Sequence, residues 1–593
     1  MEFGSKSSSC EDGFEKTEAL SQTVKYYPPI DDIHNQGISY LKLHPYIPNI
    51  SIYNAIRYGS LFYRHSSAIN CDGIRITYEG LLKNAGIIAK ALTVLGVKKG
   101  DIVTVAMPNY EQAVEMFLAV NKIGAVTTFL NYFAETEEII GYLKLFESPL
   151  FFTYDPIADH SETIFRETHV RHIIVLHDEE LRSKGFKTES HDINSQNKLI
   201  SYGELGTISR ASKNVSSDFG LSQDALILFT SGTTGNPKSV VLTNGNLLYS
   251  AIFQKNTTGI STSTSEKSLV CVPFCYPYGF VTSTLLTILS GREAILAPML
   301  TAENIQIYIS KKPNIIFGSP ALLELIMRNI EPNKELSSVK IFISGGDFLT
   351  ADQKEKGKEF FIKHGADIQI CNGSGNAETV GTSTTAVGIK EKPETVGRVL
   401  IGMDAIILNT ETGKEAAYGE EGMLCVSGRN VFKEYYKEPE LTQDAKFEYK
   451  GKIYFKTGTR GFLDTEGYFT LTGRDSRYYI MSTLNKIYCD HVQGIISAID
   501  CVEACAVVKK PDRDLLYTNM AFIILKDGWE KNQDTIAHIK ECCGRQQKMP
   551  DGTYSQLKPY EIPSAFEFMD TFPRTRADKI DYKTLEEKAA KSE

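Results

Sequence analysis

The residues best suited to chemistry lie between two short apolar runs. Residues 225–229 and 240–242 are apolar, and Thr230-Ser231-Gly232-Thr233-Thr234-Gly235-Asn236-Pro237-Lys238 separates them. Both runs are rich in strand formers and short enough to be buried strands. Gly232 and Gly235 can take positive φ and leave backbone N–H groups uncovered. Such a nest binds anionic oxygen, and the hydroxyls of Thr230, Ser231, Thr233 and Thr234 add donors. Lys238 brings positive charge, and Pro237, which cannot donate to a strand ladder, suits the mouth of a hairpin. The stretch reads as a loop that wraps a polyphosphate. It is not the G-x-x-x-x-G-K-[ST] loop, because Pro237 stands where that pattern has glycine. Taken alone, it would also suit a plain Gly/Thr surface turn.

The whole string resembles the T-S-G-T-T-G-x-P-K-G signature of adenylate-forming enzymes (acyl-CoA synthetases, luciferases and peptide-synthetase adenylation domains), with Ser239 in place of its last glycine. Further motifs follow in that family's order. Asn372-Gly373-Ser374-Gly375-Asn376-Ala377-Glu378-Thr379 fails as a dinucleotide fingerprint, since Glu378 occupies the third glycine position. It resembles instead the family's Y-G-x-T-E segment, with Ser374 and Ala377 replacing tyrosine and threonine. There the carboxylate of Glu378 would hold Mg²⁺ against phosphates, an ion that takes one or two carboxylates plus phosphate oxygens. Ser344-Gly345-Gly346-Asp347 resembles the segment edging adenine. Residues 454–461, then Gly467-Tyr468 and Gly473-Arg474, resemble Y-x-T-G-D, G-Y and G-R, with Thr459 where the ribose-binding aspartate belongs. Residues 573–581 resemble P-x-T-x-x-G-K-I, with Asp578 for glycine and Lys579 as the matching lysine.

The resemblance assigns catalytic parts to Lys579, Glu378 and Thr234, with Glu378 as the metal ligand. It assigns the nucleotide to residues 230–235, Lys238, Gly345, Gly346, Asp347, Asn372, Gly373, Ser374, Thr379, Thr459 and Arg474. It assigns the acid to Tyr276, Tyr278, Gly279, Gly318, Ser319, Gly345 and Gly375, with Cys275 and Phe280 shaping an apolar, fairly open pocket. Residues 271–291 contain no acidic side chain. A buried ammonium needs a partner, so an amino-acid substrate is disfavoured and a fatty or aryl acid fits. The implied cofactors are ATP and Mg²⁺, with coenzyme A as second substrate.

These residues need elements to position them. The chain has 593 residues, 42% of them hydrophobic and 23% charged, with a net charge of −9. That is ordinary for a soluble globular protein of several units and argues against a nucleic-acid partner. No apolar run approaches the roughly 20 residues of a membrane span, and the N-terminus has no signal core, so a cytoplasmic enzyme is the expectation. Eleven cysteines are scattered. Cys271/Cys275 and Cys501/Cys505 have C-x-x-x-C spacing, but no histidine or second pair completes a zinc set in the sequence, and buried thiols in a reducing compartment are expected.

Residues 1–45 read as a flexible leader, with 1–5 resembling a cloning scar. Strand 102–107, helix 110–123 closed by Gly124 and strand 125–130 form a βαβ order that implies parallel pairing. Further strands are expected at 74–78, 294–298, 314–317, 341–344 and 367–371, with helices at 52–62, 81–95, 244–253 and 582–592. Residues 178–220 read as loops. The family match implies an α/β fold: a large domain over 46–474 with parallel βαβ sheets, and a small mobile α+β lid over 475–593. Its two-step reaction would make an acyl-adenylate and then pass the acyl group to a thiol. The departures at Ser239, Ser374, Thr459, Ser476 and Asp578, and the absence of glycine from 481–487, keep two alternatives open: a ligase loading a carrier protein's phosphopantetheine in trans, and a catalytically weakened nucleotide-binding relative.

Overall fold

The computed structural model describes residues 39–178, 198–212, 215–230, 238–346, 349, 351–390, 392, 395–474, 477–480, 486–512, 516–545, 547–548, 554–555, 557, 559–574 and 579–592. The leader up to residue 38, the loop residues 231–237, Asp347, Ser476, 481–485 and Asp578 lie outside them.

Two large sheets carry the bulk of the chain. One, of 14 strands among the described residues, has a parallel centre in which Gln369–Ser374, Ile341–Ser344, Ile315–Gly318, Lys267–Val270 and Glu293–Leu296 lie side by side in that order. These strands are apolar on both faces, as a parallel sheet covered on both sides requires. The other sheet, of eight strands, contains the expected unit of strand Ile102–Ala106, helix Glu111–Ile123 and strand Val126–Phe129. Gly124 closes that helix at φ 76°, a left-handed turn that glycine enters without steric cost. The polyphosphate-loop strands pair antiparallel in this sheet, Asp224–Phe229 against Ser239–Thr243.

Several expectations shift. Residues 178–220 are not all loop: Lys198–Ser201 joins the eight-stranded sheet, followed by short helical turns to Ala211. Within the expected leader, Tyr40–Leu43 is helical, because it lies where the described chain already meets the large domain. Strand Lys267–Val270 stops before the aromatic stretch, and Tyr278–Leu285 winds as a wide π-helical turn. Phe280 explains the anchoring of that turn. Its ring is fully buried, 4.8 Å from Phe117 and 4.5 Å from Phe129 between ring centres, with Phe274 edge-on at 5.3 Å. Burial of each such ring is worth about 1.5–3 kcal/mol. Phe280 therefore belongs to the core, not to a substrate pocket.

One buried charge gives the core a pH dependence. Glu115, 2% exposed, accepts from Asn84 Nδ2 at 2.7 Å and from the Tyr202 hydroxyl. Burial pushes its carboxyl up to about 7 from an ordinary 4.5. A raised acid holds a proton in the folded state that the unfolded chain has released, so stability falls as pH climbs from about 4.5 through 7, by at most about 1.4 kcal/mol per pH unit. Glu115→Gln should flatten that slope in thermal unfolding between about pH 4.5 and 7. An unchanged slope would show that other groups set it.

The C-terminal part forms a separate small domain. Its strands Val502–Asp512, Leu516–Leu525 and Ala565–Phe568 make one sheet, and helices Cys489–Ser497, Gln533–Cys543 and Tyr582–Lys591 pack around it over cores of their own. It meets the large domain where the Arg460 guanidinium lies 4.4 Å from the Tyr488 ring centre.

Candidate active site

The carboxyl ends of the parallel strands supply the site. Gly318, Ser344 and Asn372 are register partners on three neighbouring strands, so the turns leaving them open on one crevice. Ligand sites of open α/β sheets occur at such strand ends. Ser344 is buried, and its hydroxyl has no hydrogen-bond partner among the described residues. Gly345 must be glycine: a β-carbon would come within 2.8 Å of the Tyr278 ring. Gly346 takes φ +84°, and a β-carbon there would lie 3.8 Å from Lys579 Cε. The lysine of the small domain thus lies against the glycine turn of the large one.

Other segments converge through hydrogen bonds. The amide of Asn372 clamps the backbone of Leu349, accepting from its N–H at 3.1 Å and donating to its carbonyl at 2.9 Å. Asn376 Nδ2 donates to the Thr457 carbonyl at 3.1 Å, tying the glutamate segment to the threonine strand. The Thr379 hydroxyl accepts from Asn376 N–H at 2.9 Å. Asn372 and Thr379, expected on the nucleotide, use their side chains here to fold the loops. Gly373 and Ser374 lie on the strand between, paired with Thr385 and Thr384. Thr459, 6% exposed, is the cross-strand partner of Arg474, which brings the two expected ribose residues together.

The glutamate and the polyphosphate loop meet through a residue that sequence reasoning missed. Tyr435 donates its hydroxyl to Glu378 Oε1 at 2.6 Å, and Lys238 Nζ lies 4.9 Å from the centre of its ring. The strand Glu434–Tyr435 pairs with Ser239–Thr243, which fixes that ring beside the loop. Burial, and then the Glu378 charge, push the Tyr435 hydroxyl well above its ordinary value, so it stays a donor. The loop mouth is closed by Thr230: its N–H donates to the Lys238 carbonyl at 3.1 Å, and its Oγ1 accepts from Lys238 N–H at 3.0 Å. Ser231 to Gly235, Thr234 included, lie outside the described residues, as does Asp347.

The expected acid pocket changes character. Tyr278 donates to the Ile343 carbonyl at 2.6 Å, and its ring covers Gly345, so a side chain crosses the space expected to be open. Gly279, Gly318 and Gly375 are accounted for by close packing. A β-carbon on them would meet Pro273 O at 2.2 Å, Leu322 Cδ2 at 2.5 Å and Gly381 O at 2.5 Å. Ser319 caps helix Pro320–Asn329, its Oγ accepting from Leu322 N–H at 3.3 Å. Tyr276 packs on the main core, and Cys275 is buried, its thiol pushed up to about 12 by that burial.

Residues 62–436 match the family model of the AMP-binding enzyme, and residues 491–579 match that of the AMP-binding enzyme C-terminal domain. The chain belongs to the AMP-binding enzyme family. This AMP-binding enzyme is 26% identical over 546 residues to a long-chain-fatty-acid–CoA ligase of Bacillus subtilis (strain 168), covering 90% of this chain and 94% of that protein. It is 24% identical over 525 residues to a feruloyl-CoA synthase of an Amycolatopsis species, covering 87% and 94%. The crystal structure of ATP-bound MatB from Rhodopseudomonas palustris shares its fold with a TM-score of 0.77 at 23% identity, over 92% of this chain and 99% of that one. The resemblance read from the motifs, and the α/β architecture with a small C-terminal domain, are borne out.

Proposed function

We propose that this AMP-binding enzyme activates a fatty or aryl carboxylic acid with ATP, forming an acyl-adenylate and pyrophosphate, and then transfers the acyl group to the thiol of coenzyme A. The observation that carries this reading is the convergence on one crevice of Lys579, the Gly345-Gly346 turn, and the Lys238–Tyr435–Glu378 chain. Its first and second halves are those of acyl- and aryl-CoA ligases, to which the chain is similar along most of its length.

The residues have distinct parts. The loop 230–238 holds the β- and γ-phosphates, and Gly345, Gly346 and the 372–375 strand edge receive adenine. Thr459 and its cross-strand partner Arg474 bind the ribose. Lys579 spans the carboxylate and the α-phosphate. The buried carboxylate of Glu378, held by a tyrosine hydroxyl beside the phosphate loop, suits Mg²⁺, which would neutralise phosphate charge when bound. The lid begins just after Arg474 and carries Lys579. No helix among the described residues is long and apolar enough to cross a membrane, and the ten described cysteines are outside disulfides; a cytoplasmic location agrees with both.

A second reading has its own support. A D-alanine–D-alanyl carrier protein ligase of Streptococcus pneumoniae is 29% identical over 373 residues, covering 60% of this chain and 69% of that protein. A carrier-protein phosphopantetheine would then take the place of coenzyme A. The acid-free stretch 271–291 still opposes an amino-acid substrate. ATP–pyrophosphate exchange tests the acid class: exchange with fatty or aromatic acids, and none above background with proteinogenic amino acids, is expected. Strong exchange with any amino acid would overturn it.

Two substitutions probe the site further. Tyr278→Ala should open the space over Gly345 and raise kcat/KM for bulky acids relative to small ones; an unchanged ranking would remove Tyr278 from the pocket. Thr459→Asp restores a charged two-oxygen acceptor opposite the ribose diol, where threonine offers one hydroxyl. KM for ATP should fall, about tenfold per 1.4 kcal/mol regained, with little change in kcat because ribose contacts bind ground and transition states alike. A KM that stays or rises would mean that neighbouring groups have re-formed around threonine.

A further inference from the structure

The small domain gathers chemistry that the reaction does not use. Asp500 and Cys501 sit at the turn entering strand Val502–Asp512. His538 and Cys542 lie one turn apart on helix Gln533–Cys543, and residues spaced by four share a helix face. The fold brings that face onto the turn. Ligand atoms of Asp500, Cys501 and His538 all lie within 4.8 Å of one another. His538 Nε2 is 2.9 Å from Asp500 Oδ1, and Cys542 Sγ is 3.8 Å from His538 Nε2 and 4.0 Å from Nδ1. Cys501 is fully buried, Cys542 is half-buried, and His538 and Asp500 reach the surface.

The supporting groups hold the ligands in place. Trp529 stacks on the His538 ring at 5.1 Å and 20° between planes. Asp500 accepts from Cys501 N–H at 2.9 Å, and Lys526 Nζ donates to the Asp500 carbonyl at 3.0 Å. Asn532 caps the helix, its Oδ1 accepting from Thr535 N–H at 3.0 Å.

We propose that Asp500, Cys501, His538 and Cys542 form a structural zinc site in the small domain. Zinc binds thiolate sulfur at about 2.3 Å and imidazole nitrogen at about 2.0–2.1 Å, so tetrahedral ligand atoms stand about 3.3–3.8 Å apart. The His538–Cys542 separation matches, and the His538–Asp500 hydrogen bond opens by a few tenths of an ångström to admit the ion. Two thiolates with one imidazole select zinc over magnesium or calcium, which take oxygen. Cys542 Sγ, beside His538 but outside the 4.8 Å cluster, rotates inward as the fourth ligand; four protein ligands then close the tetrahedron and leave no position for a substrate, the mark of a structural site. On binding, each thiol releases its proton to solvent and the S–H bonds are replaced by Zn–S bonds. The ion would fasten helix Gln533–Cys543 to the turn before strand Val502–Asp512, stiffening the domain that carries Lys579.

The test uses the full-length chain, stripped with a chelator under reducing conditions and titrated with Zn²⁺ against a chromophoric competitor. One equivalent should bind, and Co²⁺ in its place should give the thiolate charge-transfer bands of a two-sulfur site. Cys542→Ser and His538→Ala should each weaken zinc binding by about 100-fold or more, and zinc should raise the unfolding temperature of the wild type but not of the variants. Cys542 is half-buried, so its serine variant keeps the fold even if Cys501→Ser does not. Two results would overturn the site: no stoichiometric zinc in the reduced protein, or equal binding by wild type and Cys542→Ser.

Discussion

Lys579→Ala should lower the rate of acyl-adenylate formation by about 10²–10³-fold while leaving ATP binding nearly unchanged. The reason is electrostatic. A carboxylate must approach an α-phosphate that is itself anionic, and two like charges about 4 Å apart repel by about 4 kcal/mol at an effective dielectric of 20. An ammonium between them converts that repulsion into two attractions and holds the reacting oxygen in line. Lys579 reaches the place where this would happen, lying over Gly346 at the end of the strand that leads into the crevice. The second half-reaction attacks the carbonyl of a mixed anhydride and has no need of that ammonium. Acyl transfer from a supplied acyl-adenylate should therefore survive in the variant. Equal loss in both half-reactions would show that Lys579 holds the lid's structure and takes no direct part in adenylation.

Glu378→Gln should lower kcat/KM for ATP by about 100-fold, and raised Mg²⁺ should recover part of the loss. Loss of a metal ligand removes several kcal/mol of charge stabilisation, and each 1.36 kcal/mol is a factor of ten. The substitution is a clean one. The Glu378 carbonyl accepts from Phe432 N–H at 2.7 Å, a backbone bond that glutamine leaves intact. Tyr435 can still donate to the glutamine carbonyl. Tyr435→Phe should have a smaller effect in the same direction, since it removes one hydrogen bond to the carboxylate and leaves the charge. If the Mg²⁺ dependence of Glu378→Gln matches the wild type, Glu378 does not hold the ion.

The sequence made the frame of the site legible because local signals agreed with the global fold. The run around Val103, the helix ending at Gly124 and the run after it read as a βαβ unit, since apolar period, cap and turn all pointed one way. The segments at 230, 345, 374, 459 and 579 were legible as strings, in order. Their meeting place was not, because it depends on register. Thr459 faces Arg474 only through the pairing of two late strands, and Gly346 meets Lys579 across more than two hundred residues of chain. Tyr435 was invisible for the same reason: a tyrosine in an aromatic run carries no mark until a short strand pairs it beside the phosphate loop. Phe280 and Gly279 pack in the core, which the sequence does not reveal because an aromatic turn looks alike whether its rings line a cavity or fill a core. The cysteine spacing misled in a different way. Cys501 pairs by spacing with Cys505, its neighbour in sequence, whereas its neighbours in space are His538 and Asp500.

On the proposed reaction, one crevice first adenylates a carboxylic acid and then passes the acyl group to coenzyme A. Mass analysis of products from the full-length chain with Mg²⁺, ATP and a panel of fatty and aryl acids, with and without coenzyme A, tests it most directly. Pyrophosphate and enzyme-held acyl-adenylate are expected without coenzyme A, and AMP with an acyl-CoA when it is present. Adenylate that never becomes acyl-CoA would contradict the second step and favour a carrier protein as acceptor; ATP bound with no pyrophosphate from any acid would contradict the claim as a whole.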